Sequence, residues 1–174
     1  MGASLDKADP VHKVTIVPRG PALGLTSFLP VEDVHNYDRE YLEARLMVAM
    51  GGRAAEDLIF GEFTTGASND IQQATQTATR MVTQFGMSKV LGPITLGAGS
   101  DQHFLGRDIG MDRDYGEDTA EVVDQEVSNL LNESYKKAKK ILKDKIDVLH
   151  AVANKLIEEE TVAGDELRAM LTTT

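Results

Sequence analysis

The residues best suited to chemistry in this 174-residue chain lie in one stretch, Phe63-Thr64-Thr65-Gly66-Ala67-Ser68-Asn69-Asp70. A glycine-containing turn rich in hydroxyls leads into a segment of helical period whose first turn holds a carboxylate. Two readings are open. In one, Ser68 or Asn69 caps the helix and Asp70 interacts favourably with the helix dipole. In the other, Asp70 stands at a fixed helix start and offers its oxygens to a metal ion. A single carboxylate makes no site, so the second reading needs partners from elsewhere.

A second cluster is Met50-Gly51-Gly52-Arg53-Ala54-Ala55-Glu56-Asp57. Two glycines inside a helical pattern cost about 1 kcal/mol each relative to alanine, so a close approach must offset them. Arg53 and Glu56, three apart, form either a solvated pair or separate contacts, with Glu56 turned inward to orient metal ligands. The four histidines, at 12, 35, 103 and 150, lie too far apart for the i, i+4 pair that seats zinc on one helix face. They read as structural or exposed. The absence of cysteine excludes disulfides, thiolate catalysis and cysteine-ligated metal sites.

Other classes are disfavoured as well. Leu96-Gly97-Ala98-Gly99-Ser100 lacks the ending of a P-loop and the spacing of a dinucleotide fingerprint. A formal charge of −10 argues against nucleic acid as a partner. The lysines from 136 to 145 have acids on neighbouring turns and read as a solvated helix end. No run is long and apolar enough to span a bilayer.

The elements that must position these residues are mostly helical. Residues 10–30 read as a β-hairpin, with Val14 and Ile16 alternating against their neighbours and Pro18 and Pro21 placing it at a sheet edge. Such an edge either is plainly structural or captures an extended peptide. A helix capped by Asp38 and ending before Gly61 turns Leu42, Leu46, Ala49, Met50, Ala54 and Leu58 inward. The next, from Ser68 to a C-cap near Gly86, buries Ile71, Ala74, Ala78, Met81, Val82 and Phe85. Residues 38–86 are thus a helix pair. A third helix covers 118–142, with Ala120, Val123, Val127, Leu130, Ala138 and Ile141 inward. A fourth covers 145–160 through Ile146, Leu149, Ala153, Leu156 and Ile157, and a short one covers 165–171. Residues 87–115 read as loop, with at most a short strand at 94–96. The expectation is one mostly α domain with a small edge hairpin and C-terminal helices over 116–172. Residues 1–9 are either an added leader or the cut end of a natural element.

Taken together, six strings resemble a known family. They are His12-Lys13-Val14-Thr15-Ile16-Val17-Pro18-Arg19-Gly20, Gly51-Gly52-Arg53-Ala54-Ala55-Glu56, Thr64 to Asp70, Phe85-Gly86-Met87, Phe104-Leu105-Gly106-Arg107 and Leu156 to Val162. In order over nearly the whole chain, they resemble the peptidase (M41) domain of the FtsH family, membrane-anchored AAA+ zinc metalloproteases. The resemblance implies a hexameric protease ring fed by an ATPase ring that unfolds membrane or soluble proteins. It implies zinc held by both histidines of an HExxH helix and by an aspartate matching Asp70. It makes Glu56 the carboxylate beside that site, and Lys13, Val14, Thr15, Ile16 and Val17 the edge strand that aligns substrate backbone.

HExxH is absent from these residues. The family's pattern places it just before this segment, so the expectation is a fragment with no catalytic base of its own, weak or no zinc binding and no activity alone. ATP and Mg belong to a separate AAA+ module. The parent is expected to be membrane-anchored, with its protease on the cytoplasmic, stromal or matrix side, and the fragment soluble. The alternative is a non-catalytic pseudoprotease scaffold or oligomerisation module.

Overall fold

The computed structural model describes residues 1–18, 24–29, 36–97 and 115–172. Arg19, Gly20, Pro21, Leu23, His35, His103, the Phe104–Arg107 string and residues 98–100 of the glycine-rich stretch lie outside them.

The first helix, α1 (Arg39–Phe60), begins and ends where its sequence requires. The Asp38 carboxylate accepts the Tyr41 amide at 2.7 Å, and Gly61 takes the left-handed conformation at φ 68°. Leu42, Leu46, Met50 and Ala54 are buried, with Ala49 and Leu58 packed beside them. Against this face lie α2 (Ser68–Thr83) and α3 (Glu117–Asp144). Ala54, Ala78 and Ala138, one from each helix, are all 0% exposed. Where three helices meet on alanines their backbones approach closely, and Leu46 and Met81 fill the space beside them.

Three inward assignments, Phe85, Ala153 and Ile157, are corrected by the structure. Phe85 lies past the end of α2, whose C-cap is Gln84, so it leaves the helical face. It is 43% exposed, with the Arg80 guanidinium over its ring. In α4 (Ile146–Glu159), Val148 and Leu156 are buried, whereas Ala153 is exposed and Ile157 is 72% exposed. The helix packs on β3 (Thr161–Ala163) and α5 (Gly164–Thr172), and Leu149 reaches the helical core, while Ala151, Ala153 and Ile157 face outward.

The hairpin forms, with its second strand at the sheet edge and its first strand in the middle. β1 (Val11–Thr15) pairs antiparallel with β2 (Leu25–Phe28) on one side. On the other it pairs with β3 (Thr161–Ala163), giving the order β2-β1-β3. The third strand is too short for its period to be read. No strand forms at 94–96; there the Leu96 amide donates to the Thr83 carbonyl at 2.7 Å.

Thr15 stitches β1 to β3. Its hydroxyl donates to the Glu160 carbonyl at 3.0 Å and accepts from the Thr161 hydroxyl at 2.9 Å. The Ile16 amide reaches the same carbonyl at 2.9 Å. Glu160 adopts φ 60°, a left-handed conformation that turns the chain from α4 into β3. A Cβ on Gly164 would lie 1.8 Å from the Val11 carbonyl oxygen, so only glycine lets α5 start against β1.

The glycine pair in α1 divides its roles. Gly51 is buried beneath Met1, whose Cβ would lie 3.1 Å from a Cβ there; Gly52 faces open space. No helix among the described residues is long and apolar enough to cross a membrane.

Candidate metal centre

The C-terminal turns of α1 carry the side chains that shape the Thr64–Asp70 stretch. Arg53 and Glu56 do not pair with each other. The Arg53 guanidinium lies 3.9 Å from the Phe63 ring centroid. Glu56 reaches the next residue: its carboxylate accepts the Thr64 hydroxyl at 2.8 Å and the Thr64 amide at 3.2 Å. Thr64 Oγ1 then accepts the Gly66 amide at 3.1 Å, capping a 3₁₀ turn over Thr65–Ala67. Ala67 is buried and anchors that turn. The turn runs directly into α2, so Ser68 is already helical, and neither Ser68 nor Asn69 is the cap. The N-cap of α2 is Ala67, which makes no side-chain cap bond; the side-chain cap of this stretch is Thr64, at the head of the 3₁₀ turn.

Asp70 emerges in the first turn of α2. Its carboxylate has no hydrogen-bond or ion-pair partner among the described residues. Desolvation by the surrounding turn nevertheless holds its pKa above the ordinary carboxylate value. The residue is exposed, so its unpaired carboxylate is open to a cation that further ligands would share.

The described residues supply one donor of a zinc site and not the rest. Among them no group of three His, Cys, Asp or Glu side chains converges. His12 lies on β1 and His150 on α4, both exposed. Zinc needs three protein ligands at a catalytic centre, so this donor set alone does not fit the metal.

Glu56 thus holds the turn that leads into the helix of Asp70, whereas Lys13, Val14 and Thr15 belong to a different neighbourhood. Their partners are β2, β3 and α5. Because β1 is the middle strand, its backbone is engaged on both sides, and the edge-strand reading of Lys13–Thr15 is corrected on that ground. Ile16 and Val17 leave the sheet and are 42% and 40% exposed.

A polar junction lies behind Glu56. Asp57 accepts from the Tyr135 hydroxyl and the Lys139 ammonium of α3. Lys139 and then Tyr135 hold the Asp57 carboxyl below the ordinary range, while burial and Asp57 push Tyr135 up to about 12. Sequence reasoning assigned no role to Thr64 or to the Arg53–Phe63 stack. The signal for Thr64 was its hydroxyl two residues before Gly66, the spacing of a side-chain turn.

The family model for peptidase family M41 matches residues 1–170. An ATP-dependent zinc metalloprotease FtsH of Magnetococcus marinus is 50% identical over 94% of this chain and 24% of its own length. FtsH 4 of Sorangium cellulosum is 50% identical over 94% of this chain and 26% of its own. FtsH 3 of Synechocystis is 48% identical over 98% and 29%. The chain spans about a quarter of the length of these relatives. With the matching strings in order and a mostly helical fold around Asp70, the chain belongs to peptidase family M41.

Proposed function

We propose that this chain is part of an ATP-dependent zinc metalloendopeptidase and contributes the third zinc ligand, Asp70. The observation that carries the reading is the exposed, unpartnered Asp70 carboxylate in the first turn of α2, directly after the turn that Glu56 holds. Glu56 serves beside it by holding the turn from which α2 starts. The histidine pair and the glutamate base lie outside these 174 residues, and the chain alone neither holds zinc tightly nor hydrolyses peptides.

In the whole protein, a separate AAA+ module uses ATP and Mg to feed unfolded or membrane proteins to a hexameric, membrane-anchored protease. Residues 1–174 act there as a single peptidase-domain segment. Substrate contact within Lys13–Val17 falls mainly to the exposed Ile16 and Val17, because Lys13–Thr15 is engaged on both sides.

Elemental analysis and casein hydrolysis test this directly. The isolated chain is expected to carry less than one tightly bound zinc and to leave casein intact. Zinc-dependent hydrolysis that disappears in Asp70→Ala would overturn the inactivity. In the full-length protein, Asp70→Ala is expected to release zinc; full retention would overturn the ligand assignment.

A non-catalytic scaffold or oligomerisation module is the second reading, favoured by apolar surface at the end of α1, where Phe60 is 74% and Phe63 52% exposed. Zinc release by Asp70→Ala in the full-length protein decides against it.

A further inference from the structure

We infer that Thr64 is a positioning residue, the centre of a clasp by which α1 sets the conformation of the turn that delivers Asp70. The purpose of the clasp rests on Asp70 being a zinc ligand; its geometry does not. Two side chains one helical turn apart on α1 grip two consecutive residues of the following loop. Arg53 lies over Phe63, and Glu56 takes both the amide and the hydroxyl of Thr64.

The hydroxyl is used twice. It donates to Glu56 Oε1 at 2.8 Å and accepts the Gly66 amide at 3.1 Å. A charged acceptor polarises the hydroxyl, so each bond strengthens the other. Position 66 is fitted to this arrangement. A Cβ on Gly66 would lie 3.2 Å from Thr64 Oγ1 and 3.7 Å from Glu56 Oε1. Any side chain there would press on the clasp.

Beyond Gly66 the path to the carboxylate is short and rigid. Ala67 is buried at 5% exposure, and α2 begins at the next residue with Asp70 in its first turn. A change in the turn at Thr64 is therefore passed to the direction in which Asp70 points. Thr64 itself is exposed, so the clasp can be cut without disturbing the helical core.

Thr64→Val keeps the shape and deletes the hydroxyl; Thr64→Ser restores it. In this chain, amide hydrogen exchange at Gly66 is expected to rise about tenfold in Thr64→Val and return to its original rate in Thr64→Ser. The melting temperature is expected to stay the same in both. In the full-length zinc protein, transfer of zinc to a chelator is expected to accelerate about tenfold or more in Thr64→Val and not in Thr64→Ser. Unchanged Gly66 exchange, or faster exchange with unchanged zinc transfer, would overturn the assignment. Asp70→Ala in the same transfer assay separates the two readings. If it releases zinc while Thr64→Val does not, the clasp is wrong and the ligand right. If it leaves zinc in place, the ligand assignment falls and takes the purpose of the clasp with it.

Discussion

The helical core and the small sheet were written into the chain by different means. In the α1–α2–α3 core, the residues that meet repeat along their own helices every three or four positions. Leu42, Leu46, Met50 and Ala54 announce their shared face locally. In the sheet, the deciding contacts join Thr15 to Thr161 and Val11 to Gly164, about as far apart as the chain allows. Nothing near Val14 signals that a three-residue strand will cover its free side. A repeating pattern specifies a surface, while a single distant partner specifies a position.

The largest effect expected from breaking this contrast is at Gly164. Gly164→Val drives a side chain into the Val11 carbonyl and should cost about 4 kcal/mol, read as the loss of folding free energy in urea. An effect below 1 kcal/mol would mean that α5 can leave β1 freely. Leu46→Ala, in the core, should cost about 3 kcal/mol by the same measurement, since the side chain is 1% exposed and helices packed on alanines cannot collapse into the gap.

The Asp57 junction gives a smaller effect, dependent on pH. Asp57 has a lowered carboxyl pKa, so its contribution is complete above the ordinary value of 3.8 and is lost as pH falls through the lower folded value. Tyr135 has the opposite sign: its raised value gives stability that is complete below pH 10 and lost as pH climbs toward about 12. Tyr135→Phe should weaken the alkaline dependence, to which the raised Tyr41 and Lys155 also contribute, and lower the melting temperature by about 2 °C at pH 7. An alkaline limb as steep in the variant as in the parent would place its origin outside Tyr135.

The smallest change is expected at Ile157, where the helical period called for burial. Ile157→Lys should shift stability by less than about 0.5 kcal/mol, because the side chain is 72% exposed. A cost above 1 kcal/mol would restore the inward reading.

The same contrast explains what could be read in advance of the candidate site. Asp38 and Gly61 were legible as the caps of α1, because capping is decided within a few residues. Asp70 and Glu56 were legible as candidates from their types and their strings. The clasp at Thr64 was not, because it joins the C-terminal turns of α1 to the loop beyond, and helical spacing says nothing about where a chain goes after its last turn. The caps expected at Ser68 or Asn69 failed for a related reason: a 3₁₀ turn moved the start of structure back to Thr64. The misassigned edge strand had the longest-range cause, a partner 146 residues away.

The stitch between Thr15 and Thr161 also orders events during synthesis. Residues 39–144 can assemble their three helices as soon as they have left the ribosome, since the buried residues of that core, Leu42 to Leu142, are all in emerged chain. The strand that will become the middle of the sheet must wait, with one side unpaired, until β3 has been translated. A nascent chain paused before residue 160 would therefore present Lys13–Thr15 with one side of its backbone unpaired, open to another extended chain.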